Sequence, residues 1–260
     1  MMIQYSPQVP SLIKGTLLAY LHKTGCRVKA AHPSQNTLFD SNESLDADTF
    51  SLDALITQVL TIYAKDVSWL KKQAASPLYQ RLFYALRHST PQKYVIMEKA
   101  LLEAYEKGLE YCLSNVSSSC RRLALLAREV HHEVHRMLGF IRFSALDEET
   151  LVARPKLYHD TADLILKRFA PRYPHYKVVL VLDTQALCFY QGKIFSLDAR
   201  PFREFLAKKD DYSTLWEQYY KSQYIEDRKN IRLAQKVIPQ KYWDWLQEGN
   251  ILSEEKKKLT

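Results

Sequence analysis

The chain has 260 residues, of which 47% are hydrophobic, so it can bury a core as one large or two modest domains. Its formal net charge of +8 permits a polyanionic partner. The sequence has no apolar run of about 18 residues and does not begin like a signal peptide, so we expect a cytoplasmic protein without a membrane span.

The basic excess is concentrated in the middle of the sequence. Residues 1–60 carry four Lys or Arg against five Asp or Glu, whereas residues 61–145 carry thirteen against seven. The four cysteines form no C-x-x-C pair and no three-cysteine cluster, so we expect reduced thiols and no iron–sulfur cluster in this chain.

The first half of the chain is predicted to be mostly helical. The predicted elements are a strand at 2–5, a helix at 11–23, a long loop at 26–50, and helices at 51–74, 77–88 and 92–114.

Histidine and arginine side chains are most concentrated in a predicted helix that begins near Cys120 and ends at Gly139, which we expect to be its C-cap. One face is apolar, with Leu125 as an exception among polar residues. A second face gathers cations and histidines. The members of that face are Arg121, Arg128, His132 and His135, with His131 at its edge. We expect residues 140–143 to form a strand that carries Arg142.

The repeat of apolar residues along the sequence changes after residue 143. Strands are predicted at 151–154, 176–182, 186–190 and 193–195, and helices at 159–169, 212–224 and 230–247, the last with a break at Pro239. The predicted fold class is α+β, mostly helical, with a small antiparallel sheet in the C-terminal half. We divide the chain into a helical region at 1–115 and an α+β region at 116–260, packed together as one unit.

Two patterns in the sequence can be explained by a structural role as well as by a functional one. His132 to His135 resembles part of the H-E-x-x-H zinc motif, but Arg136 stands at the position of the second histidine. His131 and His135 are spaced to chelate a metal and lack a third ligand nearby, so we predict no metal site. Aromatic and cationic residues alternate over 216–245, as in proteins that bind single-stranded nucleic acid, although helical aromatics often belong to a core.

Three stretches carry a resemblance to a known family. They are REVHHEVHRMLGFIRF, Tyr158-His159 with the following FAPRYP, and YYKSQYIEDRKNIRLAQKVIPQKYW. The chain resembles the bacterial family described as DNA metabolism or DNA repair proteins, domain of unknown function 4130. The similarity extends over essentially the whole chain and is weakest in the N-terminal third. One departure is Leu138, where the family commonly has a lysine.

The resemblance implies a partner and a set of positions. Members typically accompany a radical S-adenosylmethionine (SAM) protein, and some are fused to a uracil-DNA glycosylase-type domain. An iron–sulfur cluster and S-adenosylmethionine are then expected on the partner, and no cofactor in this chain. The family pattern falls on Glu133, His135, Arg136, Gly139, Phe140, Arg142, Phe143, His159, Arg172, Arg228, Asn230, Arg232, Gln235, Pro239, Tyr242 and Trp243.

Three functions stay open at this point. The first is a nucleic-acid-binding accessory subunit for DNA repair. Its candidate contacts are Arg128, His135, Arg136, Arg142, His159, Arg172, Arg228, Asn230, Arg232 and Lys241. The second is a glycosylase-like enzyme that acts on a DNA base, with Glu133, His135 and His159 as candidate acid–base residues. The third is a protein scaffold that binds the radical partner and makes no DNA contact.

Overall fold

The computed structural model describes residues 2–29, 44–207 and 238–246, with residues 249 and 253. The chain divides into two compact units. The first comprises Met1–Glu133 with Tyr158–Asp160, and the second comprises Val134–Leu157 with Thr161–Thr260. The predicted separation of a helical region at 1–115 stays a prediction.

A small parallel sheet opens the first unit. Strand β1 (Met2–Tyr5) lies between β2 (Cys26–Val28) and β3 (Ser44–Asp46) and pairs with both in parallel. Helix α1 (Val9–His22) supplies the crossover from β1 to the parallel strand β2. The prediction of a loop throughout 26–50 is therefore wrong at β2 and β3, because strands of three residues are too short to show an alternating pattern.

Helices form the rest of the first unit. They are α2 (Leu52–Tyr63), α3 (Ser76–Leu86), α4 (Lys93–Lys107), α5 (Leu109–Leu113) and the part of α6 (Ser118–Phe140) up to Glu133. The predicted helix at 51–74 ends early, since Ala64 adopts a left-handed conformation with φ of 52°. The predicted helix at 92–114 is interrupted at Gly108, which has φ of 91° and ψ of 164°.

Helix α6 has the predicted apolar face. The buried side chains of that face are Leu123, Leu126, Ala127, Val130, Val134 and Met137, and Leu125 is 40% exposed as expected. The predicted stop at Gly139 is wrong, because Ile141 N donates to Met137 O and extends the helical bonding beyond the glycine. The predicted strand at 140–143 is also wrong, since Phe140 ends the helix and β4 is Ser144–Ala145.

A five-stranded sheet forms the centre of the second unit. The strands are β4, β5 (Thr150–Ala153), β6 (Lys177–Val181), β7 (Ala186–Tyr190) and β8 (Lys193–Leu197), adjacent in that order. The β5–β6 pair is parallel and the other pairs are antiparallel. The α+β class is confirmed, with a mixed sheet where an antiparallel one was predicted.

Helical segments accompany this sheet. Helix α7 (Ala162–Phe169) supplies the crossover between β5 and β6. Helix α8 (Arg200–Ala207), which was not predicted, follows β8, and a short 3-10 turn spans Gln240–Tyr242. The predicted helix at 212–224 and most of that at 230–247 lie outside the described residues.

None of the described helices has the length and apolar composition needed to cross a membrane. The four cysteines are free thiols, and Cys112, Cys120 and Cys188 are buried.

Candidate nucleic-acid interface

Two arginines meet at the C-terminal end of α6, in the second unit. The last carbonyl groups of a helix have no partner within the helix. Arg142 Nη1 donates to Gly139 O over 2.6 Å, and Arg172 Nη1 donates to Leu138 O over 3.4 Å. Both side chains are exposed. Segments that are distant in the sequence therefore place two cations at one helix end, where the partial negative charge of the carbonyls favours them.

Aromatic rings lie beside the two arginines. Phe143 packs edge-to-face on Phe169 and Tyr173, with centroid distances of 5.0 and 5.6 Å. The Arg172 guanidinium lies 5.5 Å from the centroid of the Phe169 ring. Phe169 is buried at the end of α7, so this ring contact fixes the position from which Arg172 projects.

A proline turn adds a further ring. Tyr176 N donates to Tyr173 O over 3.2 Å, which closes a four-residue turn with Pro174 in its second position. The rings of Tyr173 and Tyr176 are perpendicular, with centroids 6.3 Å apart. Tyr176 is 37% exposed. We call Arg142, Arg172, Tyr173 and Tyr176 the arginine–tyrosine patch.

An acidic turn borders the patch next to β6. Lys177 follows Tyr176, and its Nζ lies 3.3 Å from Glu149 Oε2. The hydrogen bond to Glu149 raises the pKa of Lys177. The backbone N–H of Glu149 lowers the pKa of Asp147, so that carboxylate is ionised at neutral pH. The carboxylates of this turn would repel a phosphate group, whereas the arginines at the end of α6 would attract one.

Lys241 precedes Tyr242, a residue that packs against the end of α6. Tyr242 is fully buried and packs on Phe140, the last residue of α6, with centroids 5.8 Å apart. The Lys241 side chain is exposed, with Nζ 5.0 Å from the centroid of the Tyr242 ring. A third predicted contact residue thus lies in the second unit, next in sequence to a ring that packs on the last residue of α6.

The other predicted contacts are distributed more widely. His135 is exposed and Arg136 is half-buried on the part of α6 that belongs to the second unit, whereas Arg128 is exposed in the first unit. Arg228, Asn230 and Arg232 lie outside the described residues.

Glu133 anchors a short segment within the first unit. It is 1% exposed, and its carboxylate accepts Tyr158 N over 2.8 Å and His159 N over 3.0 Å. Asp160 N donates to Arg87 O, which ties down the same segment. These bonds explain why α7 begins at Ala162 and not at His159 as predicted.

His159 stacks on a second histidine that sequence reasoning missed. The rings of His88 and His159 are 4.3 Å apart and inclined by 34°. His88 Nε2 lies 2.8 Å from Glu129 Oε2. Glu129 and Glu133 are one helical turn apart on α6 and therefore lie on the same face of the helix. That spacing was the sequence signal that both glutamates could contact the same neighbouring segment.

Each of these imidazoles accepts a backbone N–H. Thr90 N donates to His88 Nδ1 over 3.0 Å, and Ser89 N donates to His159 Nδ1 over 3.3 Å. An imidazole that accepts at Nδ1 carries its proton at Nε2. This pattern orients both rings and suits a structural role.

No group of three or more His, Cys, Asp or Glu in the described part of the chain is placed to hold a metal ion. His131, one of the two residues with chelating spacing, packs edge-to-face on Tyr84 with centroids 5.5 Å apart.

Residues 91–248 match the model of a family described as a domain of unknown function, DUF4130. The match covers more than half of the chain. The chain belongs to the DUF4130 family. The matched range contains the whole arginine–tyrosine patch, together with Glu133 and His159, whereas His88 precedes it. No curated protein and no solved structure is a match.

Proposed function

We propose that this DUF4130 protein is a nucleic-acid-binding accessory of a DNA repair or DNA metabolism enzyme. One observation supports this most: Arg142 and Arg172 are exposed side by side at the end of α6, next to aromatic rings. Arginines in such a position suit phosphate groups, which they can bind through several N–H donors.

The proposed enzyme partner is a radical SAM protein. Support for this part comes from the sequence resemblance, which implies a partner that carries the iron–sulfur cluster and S-adenosylmethionine. In this proposal, this protein binds the substrate and its partner carries out the radical chemistry.

The test is equilibrium binding of the purified chain to labelled single- and double-stranded DNA at low and high salt. We expect affinity that falls steeply with salt, since bound cations displace counterions from the phosphates. Arg142→Ala and Arg172→Ala should each weaken binding at low salt by about 2- to 10-fold, the equivalent of one lost hydrogen bond.

Lys193→Ala is the matched control. Lys193 is an exposed cation at the β7–β8 turn of the same unit, so its removal changes the net charge equally. If Lys193→Ala weakens binding as much as the arginine variants do, the effect is one of net charge and the proposed interface is wrong. A chain without DNA affinity whose association with the radical SAM protein survives nuclease treatment would select the scaffold function.

The glycosylase-like alternative has less support from the side-chain contacts. Glu133 is buried and engaged with two backbone N–H groups, and His159 accepts at Nδ1 from Ser89. Acid–base chemistry at Glu133, His135 and His159 stays a prediction. Base release from DNA that disappears in His135→Ala or His159→Gln, with DNA affinity retained, would support it.

A further inference from the structure

We propose that the arginine–tyrosine patch binds an unpaired nucleotide, with its base stacked on Tyr176. This inference rests on the proposed function and specifies its substrate: single-stranded or locally unpaired nucleic acid, not an intact duplex. The geometry that supports it is an exposed Tyr176 ring in contact with Tyr173, which adjoins Arg172 in the sequence and packs on Phe143 next to Arg142.

The Tyr176 ring is carried by a hydrogen-bonded turn. Tyr176 ends the proline turn that begins at Tyr173, and its N–H is bonded to Tyr173 O. Tyr173 is in turn held by Phe143 and, through a nearly parallel contact at 6.1 Å, by Phe169. A ring that is already ordered loses little conformational entropy when a base stacks on it.

The charges favour a single line of phosphates along one side of the patch. Arg172 adjoins Tyr173 in the sequence, and Arg142 adjoins Phe143, whose ring contacts Tyr173. On the other side, the acidic turn with Asp147 and the Lys177–Glu149 pair discourages a second line of phosphates. One phosphate chain beside one ring is the arrangement that single-strand sites use, and stacking tolerates every base.

The experiment compares fluorescein-labelled oligothymidylate with an abasic strand of equal length and a blunt duplex, all at low salt. Tyr176→Ala should weaken oligothymidylate binding by about 10-fold, within the range for one lost base–aromatic stack, and leave the abasic strand unaffected. Tyr176→Phe should restore binding, because the ring and not the hydroxyl makes the contact.

Phe195→Ala is the control for the loss of an exposed ring. Phe195 is 46% exposed on β8, at the edge of the same sheet. Equal loss of affinity for the abasic strand and the oligothymidylate in Tyr176→Ala would overturn the stacking proposal, as would tighter binding of the duplex than of the single strand. In either case, the proposed function stands if Arg142→Ala and Arg172→Ala still weaken DNA binding. If these two substitutions leave DNA binding unchanged, the stacking proposal and the proposed function are both wrong.

Discussion

Glu133 illustrates how strongly one buried residue can constrain a fold. A buried carboxylate is costly unless it is hydrogen-bonded. Glu133 meets this requirement with two backbone N–H groups, from Tyr158 and His159, and so fixes a segment that lies far away in the sequence. At the residue scale its conspicuous position in the family pattern therefore has a structural explanation.

Replacing Glu133 by glutamine should destabilise the protein. The amide has one acceptor oxygen where the carboxylate has two, and its NH2 group would face a backbone donor. Leaving a buried donor unsatisfied costs about 1–3 kcal/mol. We expect the free energy of unfolding in urea to fall by about this amount.

Glu129→Gln is the matched control, one helical turn earlier. The Glu129 side chain is 47% exposed, and the hydrogen bond that it accepts from His88 Nε2 can also be accepted by a glutamine oxygen. Its effect on the free energy of unfolding should be clearly smaller. Equal effects of the two substitutions would contradict the anchoring role of Glu133.

For a single helix or strand, the number of residues over which its apolar repeat extends determines whether the sequence predicts it. The buried face of α6 is predicted correctly because its apolar residues recur over many turns. The strands β2 and β3 are missed because each has three residues, and the interruption at Gly108 is missed because glycine also occurs within helices. The anchored segment before α7 depends on Glu133, a contact that no local pattern contains.

Gly108→Ala should weaken the junction of α4 and α5. The φ of 91° and ψ of 164° at Gly108 define a conformation that is essentially restricted to glycine. An added Cβ would meet nothing within 4 Å, so the cost is backbone strain alone, about 1–3 kcal/mol in the free energy of unfolding.

Gly25→Ala separates strain from a general effect of losing glycine. Gly25 has no positive φ, and its added Cβ would also meet nothing within 4 Å. Its free energy of unfolding should remain close to that of the unchanged protein. A comparable loss at both positions would refute the explanation by backbone strain.

The N-terminal sheet should lose stability in acid through Asp48. Hydrogen bonds from Lys29, and then from Ser11 and Ser6, hold the pKa of Asp48 well below its usual range. A carboxylate with a depressed pKa stabilises the folded state above its unfolded pKa of about 4, and this contribution is lost as the pH falls further. The melting temperature of the protein should therefore drop more steeply below about pH 4 than that of Asp48→Asn.

Glu148→Gln is the control for this pH dependence, since Glu148 is an exposed carboxylate in a turn of the second unit. Its melting temperature should follow that of the unchanged protein across the acid range. An Asp48→Asn curve parallel to both would show that the Asp48 contacts do not control acid stability.

At the scale of the molecule, the sequence named Arg142 and Arg172 but could not place them together. Their convergence depends on the end of α6 and on the turn after α7, which only the tertiary fold brings into contact. Tyr176 was not singled out, although a tyrosine at each end of a proline turn was a local signal. His135 and Arg142 both lie in the second unit, whereas Arg128 lies in the first, and the relation of any of them to Arg228 stays a prediction.

Salt dependence can count the phosphates that the whole protein contacts. For single strands, the logarithm of the binding constant falls with the logarithm of salt concentration by about 0.7 for each neutralised phosphate. If Arg142 and Arg172 each contact one phosphate, the variant with both replaced by alanine should have a slope smaller by about 1.4. The slope that remains then measures the other cations, with Lys241 and Arg228 as the next substitutions. An unchanged slope in the double variant, at equal folded fraction, would place the phosphate contacts elsewhere and refute the interface at the end of α6.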